Sequence, residues 1–337
     1  MMHVAPHIQP APVLGVYIPG THAAATYYRL RVPLKSAYDN VAFVPLTPEY
    51  IPTLFDLADS AELIVLSRVM LREPGTILGV KAIIERLQRS GARVVVDQDD
   101  DLLSRREVRR AMSPGEQATY EAFLRYADRR TTTNRTLAQR FRQYGNTYVL
   151  PNYVRTDWTP LQPIPDDEPV VITITGSPSH EDDWRDVAIP LHAIRIRYGN
   201  RVHIRSVGYL PEYLHSVVDD HTHWSDLANY LELISGTHIG LAPLLDTSFN
   251  RCKSPIKAYE YGIVGAAVVA SPMQYAPVLA DGRGITVGLG ENWTAAISTL
   301  IEQPERRRYY AQRLQEYISS TVDGRRHAAT IRAAYGG

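Results

Sequence analysis

The chain has 337 residues, 45% of them hydrophobic and 21% charged, which is room for about two globular domains and is not the composition of a disordered chain. Lys+Arg and Asp+Glu both number 36, so no global charge marks it for a polyanion. No run of about 18 uncharged apolar residues predicts a membrane helix, and the start MMHVAPHIQPAP lacks the basic and long apolar regions of a secretory signal. The single cysteine, Cys252, excludes an intrachain disulfide and fits a reducing, cytoplasmic setting.

In chain order, VLGVYIPG from Val13 predicts a short strand, AELIVLSR (61–68) a buried strand, and GTILGVKAIIERLQRSG (75–91) a helix closed by Gly91. ARVVVDQDDDLL (92–103) is a strand running into acids. A helical stretch to about residue 127 leads to a strand and helix in RRTTTNRTLAQRFRQYG, then to the strand TYVLPNYV with its Pro151-Asn152 turn. The proline-rich, acidic QPIPDDEP (162–169) is a linker. The pattern then restarts: a strand at 170–177, a helix at about 184–198, a strand at 202–208, the helix WSDLANYLELISG, the strand THIGLAPL, a helix from about Pro255 to Gly262, the strand AAVVAS and one or two closing helices. Strands alternating with helices argue for parallel sheets covered on both faces. The predicted fold is α/β, with Rossmann-like domains at 1–157 and 168–315 and a C-terminal helix at about 316–337 returning to the first. Open parallel sheets bind ligands beyond the carboxyl ends of their strands, so a crevice between two facing sheets is the expected site.

The stretch KSPIKAYEYGIVGAAVVAS (253–271) carries the most chemistry. The chain has four lysines against 32 arginines, and two of the four, Lys253 and Lys257, lie within the five residues 253–257. A compact ammonium suits a phosphate oxygen. With Ser254 or Pro255 opening a helix, Lys253 stands where free N–H groups and the helix dipole already favour an anion. Lys257 and Glu260 share a face, and Glu260 is placed to accept from ribose hydroxyls. A solvated Lys–Glu face is the plain alternative. Gly262, Gly265, Ala266 and Ala267 allow close packing of this helix and the next strand.

APLLDTSFNRCKSPIKAYEYGIVGAAVVAS resembles the donor-sugar motif of GT-B nucleotide-sugar glycosyltransferases of the group 1, retaining type: apolar-Pro-Leu, a variable loop, Lys-x-x-Glu-Tyr, a glycine and Val-Val-Ala-Ser. TTTNRTLAQRF and YVLPNYVRTDWTP (131–160) resemble the end of the first domain in these enzymes, and WTAAISTLIEQPERRRYYAQRL their closing helices. The resemblance implies a metal-independent hexosyltransferase-like enzyme using a UDP- or GDP-sugar. Glu260 would bind ribose, and Lys253, Ser254 and Asn250 would meet the diphosphate or sugar, supported by Lys257. Gly176 and Ser177 would bring backbone N–H groups to a phosphate, and Gly208, Tyr209 and Leu210 would flank the base. In the loop GTHAAATYYRLRVPL (20–34), Arg29 would neutralise the leaving diphosphate, while Tyr27 or Tyr28 would stack on a sugar and His22 is a further base. Retaining members carry a second glutamate eight residues before the ribose glutamate; here that position is Cys252, which leaves Asp246, Asn250 or Lys253 as its replacement.

In the DQDDD cluster (97–101), Asp99 or Asp100 is the expected general base or acceptor-orienting group. A divalent metal at these two acids is the lesser alternative, and Asp101 is expected to cap the following helix. His221-Thr-His223 reads as a loop or helix start rather than a metal pair, and GRGITVG (282–288) as a turn. The span 104–142 holds ten arginines against four acids, which suits a polyanionic acceptor or a solvated helix face. The acceptor stays open among a glycan, a protein, a small molecule and modified DNA. A non-catalytic nucleotide- or glycan-binding module and a nucleotide-sugar epimerase are the competing readings.

Overall fold

Two all-parallel sheets of six strands organise the chain, and the computed structural model describes residues 8–19, 23–71, 75–107, 112–156, 169–223 and 227–337. The first sheet contains β1 (Val13–Tyr17), β2 (Val41–Pro45), β3 (Leu63–Ser67), β4 (Arg93–Gln98), β5 (Arg129–Thr132) and β6 (Thr147–Val149), in the order β2-β1-β3-β4-β5-β6. Its central strands are buried on both faces. Leu14, Ile64, Leu66, Val94 and Val96 join one apolar cluster, and Val13, Leu63, Val65 and Val95 the other. This is why these strands read as unbroken apolar runs. The second sheet contains β7 (Val170–Gly176), β8 (Val202–Gly208), β9 (Asp220–Thr222), β10 (Ile239–Ala242), β11 (Ala267–Ala270) and β12 (Ile285–Thr286), in the order β12-β11-β10-β7-β8-β9. Counted from its own first strand this is 3-2-1-4-5-6, the doubly wound order.

The chain divides into two compact units. One comprises the described residues up to Arg155 with Cys252–Ser254 and Gly324–Gly337; the other comprises those within Thr156–Arg251 and Pro255–Asp323. The final helix, Ala328–Tyr335, buries Ile331 and Tyr335 in the first unit's apolar cluster, and Arg332 Nη1 donates to the Ala37 carbonyl.

Several elements were not foreseen, among them the helix Ile51–Ala58 and the helical run Ala23–Ala37 where a loop was expected. β2 is a half-buried alternating edge strand of five residues, and β9 is a polar edge strand of three that contains His221 where a loop or helix start was expected. β12 is a two-residue strand inside GRGITVG, which corrects the turn assignment: its backbone pairs with β11 at Val269 and Ala270. Pro272–Leu279 is a helix. Edge strands make half the ladder of central ones and carry a weak apolar signal. The helix after Asp101 is a 3-10 turn, Leu102–Glu107, with Asp101 Oδ1 accepting from Ser104 N at 3.3 Å.

Candidate functional site

In the second sheet the winding reverses between β7 and β10, so the loops that follow Gly176 and Ala242 flank the switch point. The helix Ile256–Ile263 follows the second of these loops. Tyr261 seats it. The Tyr261 ring lies against Gly240, where an added Cβ would come within 2.3 Å of it, and its hydroxyl donates to the Thr173 carbonyl at 3.0 Å. Gly262 admits the Pro304–Tyr317 helix: a Cβ there would meet Leu314 Cγ at 2.8 Å. Gly262 therefore serves close packing, but against the Pro304–Tyr317 helix rather than the next strand that was expected, and Gly265 has open space around it with φ +78°. Seated this way, Glu260 is 5% exposed and accepts from the Tyr230 hydroxyl at 3.0 Å. Lys257 is also buried. Buried charges on one helix turn are not a solvated face.

An Asp183-centred network ties the two loops together. Asp183 Oδ1 accepts from Leu245 N at 2.9 Å and from Asn250 Nδ2 at 2.8 Å, and Asp183 Oδ2 pairs with His180 Nδ1 at 2.7 Å. Asn250 Nδ2 also donates to the Leu245 carbonyl at 3.0 Å. At the end of β7, a Cβ on Gly176 would stand 3.1 Å from Trp184 and 3.2 Å from His180 Cδ2, so these two side chains pack closely over a glycine there. Ser177 Oγ and Ser179 Oγ lie 2.8 Å apart. Gly208, with φ +105°, ends β8 in a conformation that favours glycine. Tyr209 N then donates to the Gly176 carbonyl at 2.8 Å, and Tyr209 Oη to Glu181 Oε2 at 2.9 Å. Leu210 packs on the apolar cluster of this unit. Asp246 is exposed and held by Arg251 at 2.6 Å.

The first unit holds the residues just before the helix. Thr133 Oγ1 donates to the Cys252 carbonyl at 3.2 Å, Asn134 Nδ2 to the Lys253 carbonyl at 3.0 Å, and Asn152 Nδ2 to Ser254 Oγ at 2.7 Å. Ser254 is therefore not the cap that was expected; Pro255 occupies the N-cap position, and no side chain caps the helix. Lys253 is buried. Cys252 is fully buried in the apolar cluster with Leu102 and Tyr120, and burial pushes its thiol pKa up, which makes it an inert thiol.

Arg29 is corrected. It is fully buried, pairs with both oxygens of Asp97 at 2.7 and 3.0 Å, and donates from Nη1 to the Leu150 carbonyl at 2.5 Å and Asn152 Oδ1 at 2.9 Å. A guanidinium so engaged is a strut rather than a cation waiting for a leaving group. Through Asn152 the chain Asp97–Arg29–Asn152–Ser254 is continuous. Tyr28 is corrected for the same reason, since it is buried, with its ring edge-on to Tyr27 at 5.1 Å; Tyr27 is half-buried. His22 lies outside the described residues.

Asp99 and Asp100 both pair with Arg68, the residue that follows β3. Burial pushes the Asp99 carboxyl pKa up, against the pull of Arg68. Arg68 adopts φ +49°, an uncommon backbone for a side-chain-bearing residue, and the two ion pairs hold it there. Sequence reasoning missed Arg68, His180 and Asp183. Only the acid-rich SHEDD directly after β7's glycine carried a signal for the latter two. Among the described residues no three His, Cys, Asp or Glu side chains gather as a metal site, and no helix is long and apolar enough to cross a membrane.

Two doubly wound α/β units in series, with the buried Lys-x-x-Glu-Tyr helix in the second, define the GT-B architecture. No family model and no curated protein matches the sequence. Solved structures do match in fold. An alpha-glucosyltransferase in complex with UDP-glucose and DNA containing an abasic site aligns with TM-score 0.71 and 12% identity, over 96% of this chain and 100% of that one. Anabaena HepE with UDP and glucose gives 0.63 and 14% over 96% and 98%. Sucrose-phosphate synthase from Thermosynechococcus elongatus gives 0.59 and 14%, again over 96% and 98%.

Proposed function

We propose that this chain is a glycosyltransferase that moves a sugar from a nucleoside diphosphate-sugar to an acceptor hydroxyl. The observation that carries the reading is Glu260: an acid withdrawn from water beside the switch point of a doubly wound sheet, on a helix whose sequence matches the donor motif. UDP is the first nucleotide to test, because HepE and the alpha-glucosyltransferase were solved with it. In this reading Glu260 binds the ribose, Gly176 and Ser177 offer backbone to a phosphate, and Gly208, Tyr209 and Leu210 flank the base. Asn250, Lys253, Ser254 and Lys257 meet the diphosphate or sugar. The first unit takes the acceptor, with Tyr27 as a contact; modified DNA stands beside glycans, proteins and small molecules as a candidate. The reaction runs without metal, with cations and N–H groups stabilising the departing diphosphate. If it inverts, Asp99 or Asp100 serves as base once loosened from Arg68; if it retains, the acceptor attacks on the face the diphosphate leaves. The setting is the reducing one that a lone, buried cysteine suits.

The test is incubation with UDP-, GDP- and ADP-sugars and assay for released nucleoside diphosphate. Acceptor-stimulated release from one of them is expected. Binding without release makes the chain a binding module, and interconversion of the sugar makes it an epimerase.

A further inference from the structure

The donor reading requires positive charge beside a diphosphate, to which Lys253 and Lys257 contribute. Beyond these lysines, the two loops at the switch point, residues 177–184 and 243–255, contain one arginine, Arg251, and one histidine, His180. Both side-chain nitrogens of Arg251 that bond Asp246 do so at 2.6 and 2.9 Å, on an exposed surface. His180 is built differently. Its turn, Pro178–His180, directly follows β7. Its Nδ1 pairs at 2.7 Å with an Asp183 carboxylate that is itself 3% exposed and anchored to Leu245 N and Asn250 Nδ2. Its Cδ2 edge, which leads to Nε2, lies against Gly176, where an added Cβ would come within 3.2 Å of it. The His180 side chain keeps 13% of its surface exposed.

An ionised carboxylate only accepts, so Asp183 holds the proton on Nδ1 and fixes the orientation of the ring at the end of β7. Asp183 needs no histidine to join the two loops, since one of its oxygens already does that. The other oxygen is given to the ring. We propose that His180, oriented by Asp183, contacts the diphosphate of the bound nucleotide and stabilises the charge that develops there as the sugar leaves. This deepens the donor reading and rests on it. In the transfer the bond from the sugar's anomeric carbon to the phosphate oxygen breaks, and its electron pair goes to the diphosphate. The acceptor oxygen bonds the anomeric carbon, and the acceptor's proton departs with the diphosphate or to solvent. His180 acts as the imidazolium: with Nδ1–H held by Asp183, the second proton on Nε2 is donated in a hydrogen bond to a phosphate oxygen, and the ring keeps both protons throughout. His180 is thus a catalytic residue, and Asp183 a positioning residue behind it.

The experiment compares the full chain with His180→Ala, His180→Gln and Asp183→Asn. Calorimetry measures affinity for whichever of UDP, GDP and ADP the wild type binds and for the matching nucleoside, and donor turnover is followed alongside. His180→Ala is expected to weaken the nucleoside diphosphate at least tenfold and leave the nucleoside unchanged, with kcat falling more than KM rises. His180→Gln, which keeps a donor without the charge, should fall between. Asp183→Asn should lower kcat while the nucleoside still binds. Equal losses for nucleotide and nucleoside, or an unchanged nucleotide affinity in His180→Gln, would overturn the assignment while leaving the donor reading intact. A wild type that binds none of the three nucleotides removes the donor reading and this inference together.

Discussion

Glu260 and Lys253 are both charged and both buried, and the cost of holding a charge out of water sets the expectation for each. If the donor motif works as proposed, Glu260→Ala and Lys253→Ala each weaken nucleotide binding at least tenfold, about 1.4 kcal/mol, by titration calorimetry. Unchanged affinity in both removes the motif's role. The Arg29–Asp97 pair makes a prediction of another kind. Asp97 also accepts from Thr131 Oγ1 at 2.5 Å, so the pair sits inside a closed network. Asp97→Asn or Arg29→Met leaves one buried charge unmatched and is expected to lower stability by about 3–5 kcal/mol in denaturant unfolding. The double change Arg29→Met with Asp97→Leu should recover much of that. If the single variants unfold like the wild type, Arg29 is not a strut and its leaving-group role reopens.

At the scale of elements, the helix that carries Glu260 owes its place to Gly240 and Tyr261. Gly240→Ala would push the ring and tilt the helix, so a loss of about 1–3 kcal/mol is expected together with weaker nucleotide binding. Stability lost with affinity intact would show that the seat does not set the site. One residue before β10, His238 accepts at Nδ1 from Val171 N at 2.9 Å, and burial, helped by Arg307, pushes its pKa down to about 4. The unfolded chain therefore takes up this proton at higher pH than the folded one. Stability should fall as pH drops from about 6.5 toward 4, by at most about 1.4 kcal/mol per pH unit from this group, and level off below. His238→Gln should flatten that part of a melting-temperature profile.

The same scale shows which elements were legible. The central strands β1, β3, β4, β7, β10 and β11 announce themselves because burial on both faces favours apolar runs, and β8 through the alternation of VHIRSVG. The helix from Pro255 was legible from its proline and its period of three and four. β2, β9 and β12 were not, because edge strands need little hydrophobicity: β2 only alternates buried and half-buried positions, and β9 and β12 are three and two residues long. At the site, Glu260 and Lys257 were found because charge inside a motif is visible. Arg29's fate was invisible, because its four side-chain hydrogen bonds go to positions 97, 150 and 152.

For the whole molecule, the unit boundary crosses the chain at Ser254 and again at Asp323, so the polypeptide passes between units more often than a linear linker would require. Residues 324–337 close the first unit: Ile331 and Tyr335 are fully buried, and Arg129 Nη1 donates to the Ala333 carbonyl at 3.2 Å. We expect calorimetry to resolve two unfolding transitions, of which removal of 324–337 lowers one and spares the other. A truncated chain with both transitions unmoved, or both moved alike, would refute this division into separately stable domains. The sequence by itself determined the α/β class, the two successive strand–helix series and the acid-and-lysine helix, because periodicity and local charge are written residue by residue. Tertiary structure alone decided that Arg29 is a strut, that Cys252 is core, that Arg68 holds the acids after β4, and that Asp183 binds two loops and a histidine. Apart from the local Asp183–His180 pair, those roles depend on groups about thirty to 150 positions apart, which only the folded sheets bring together.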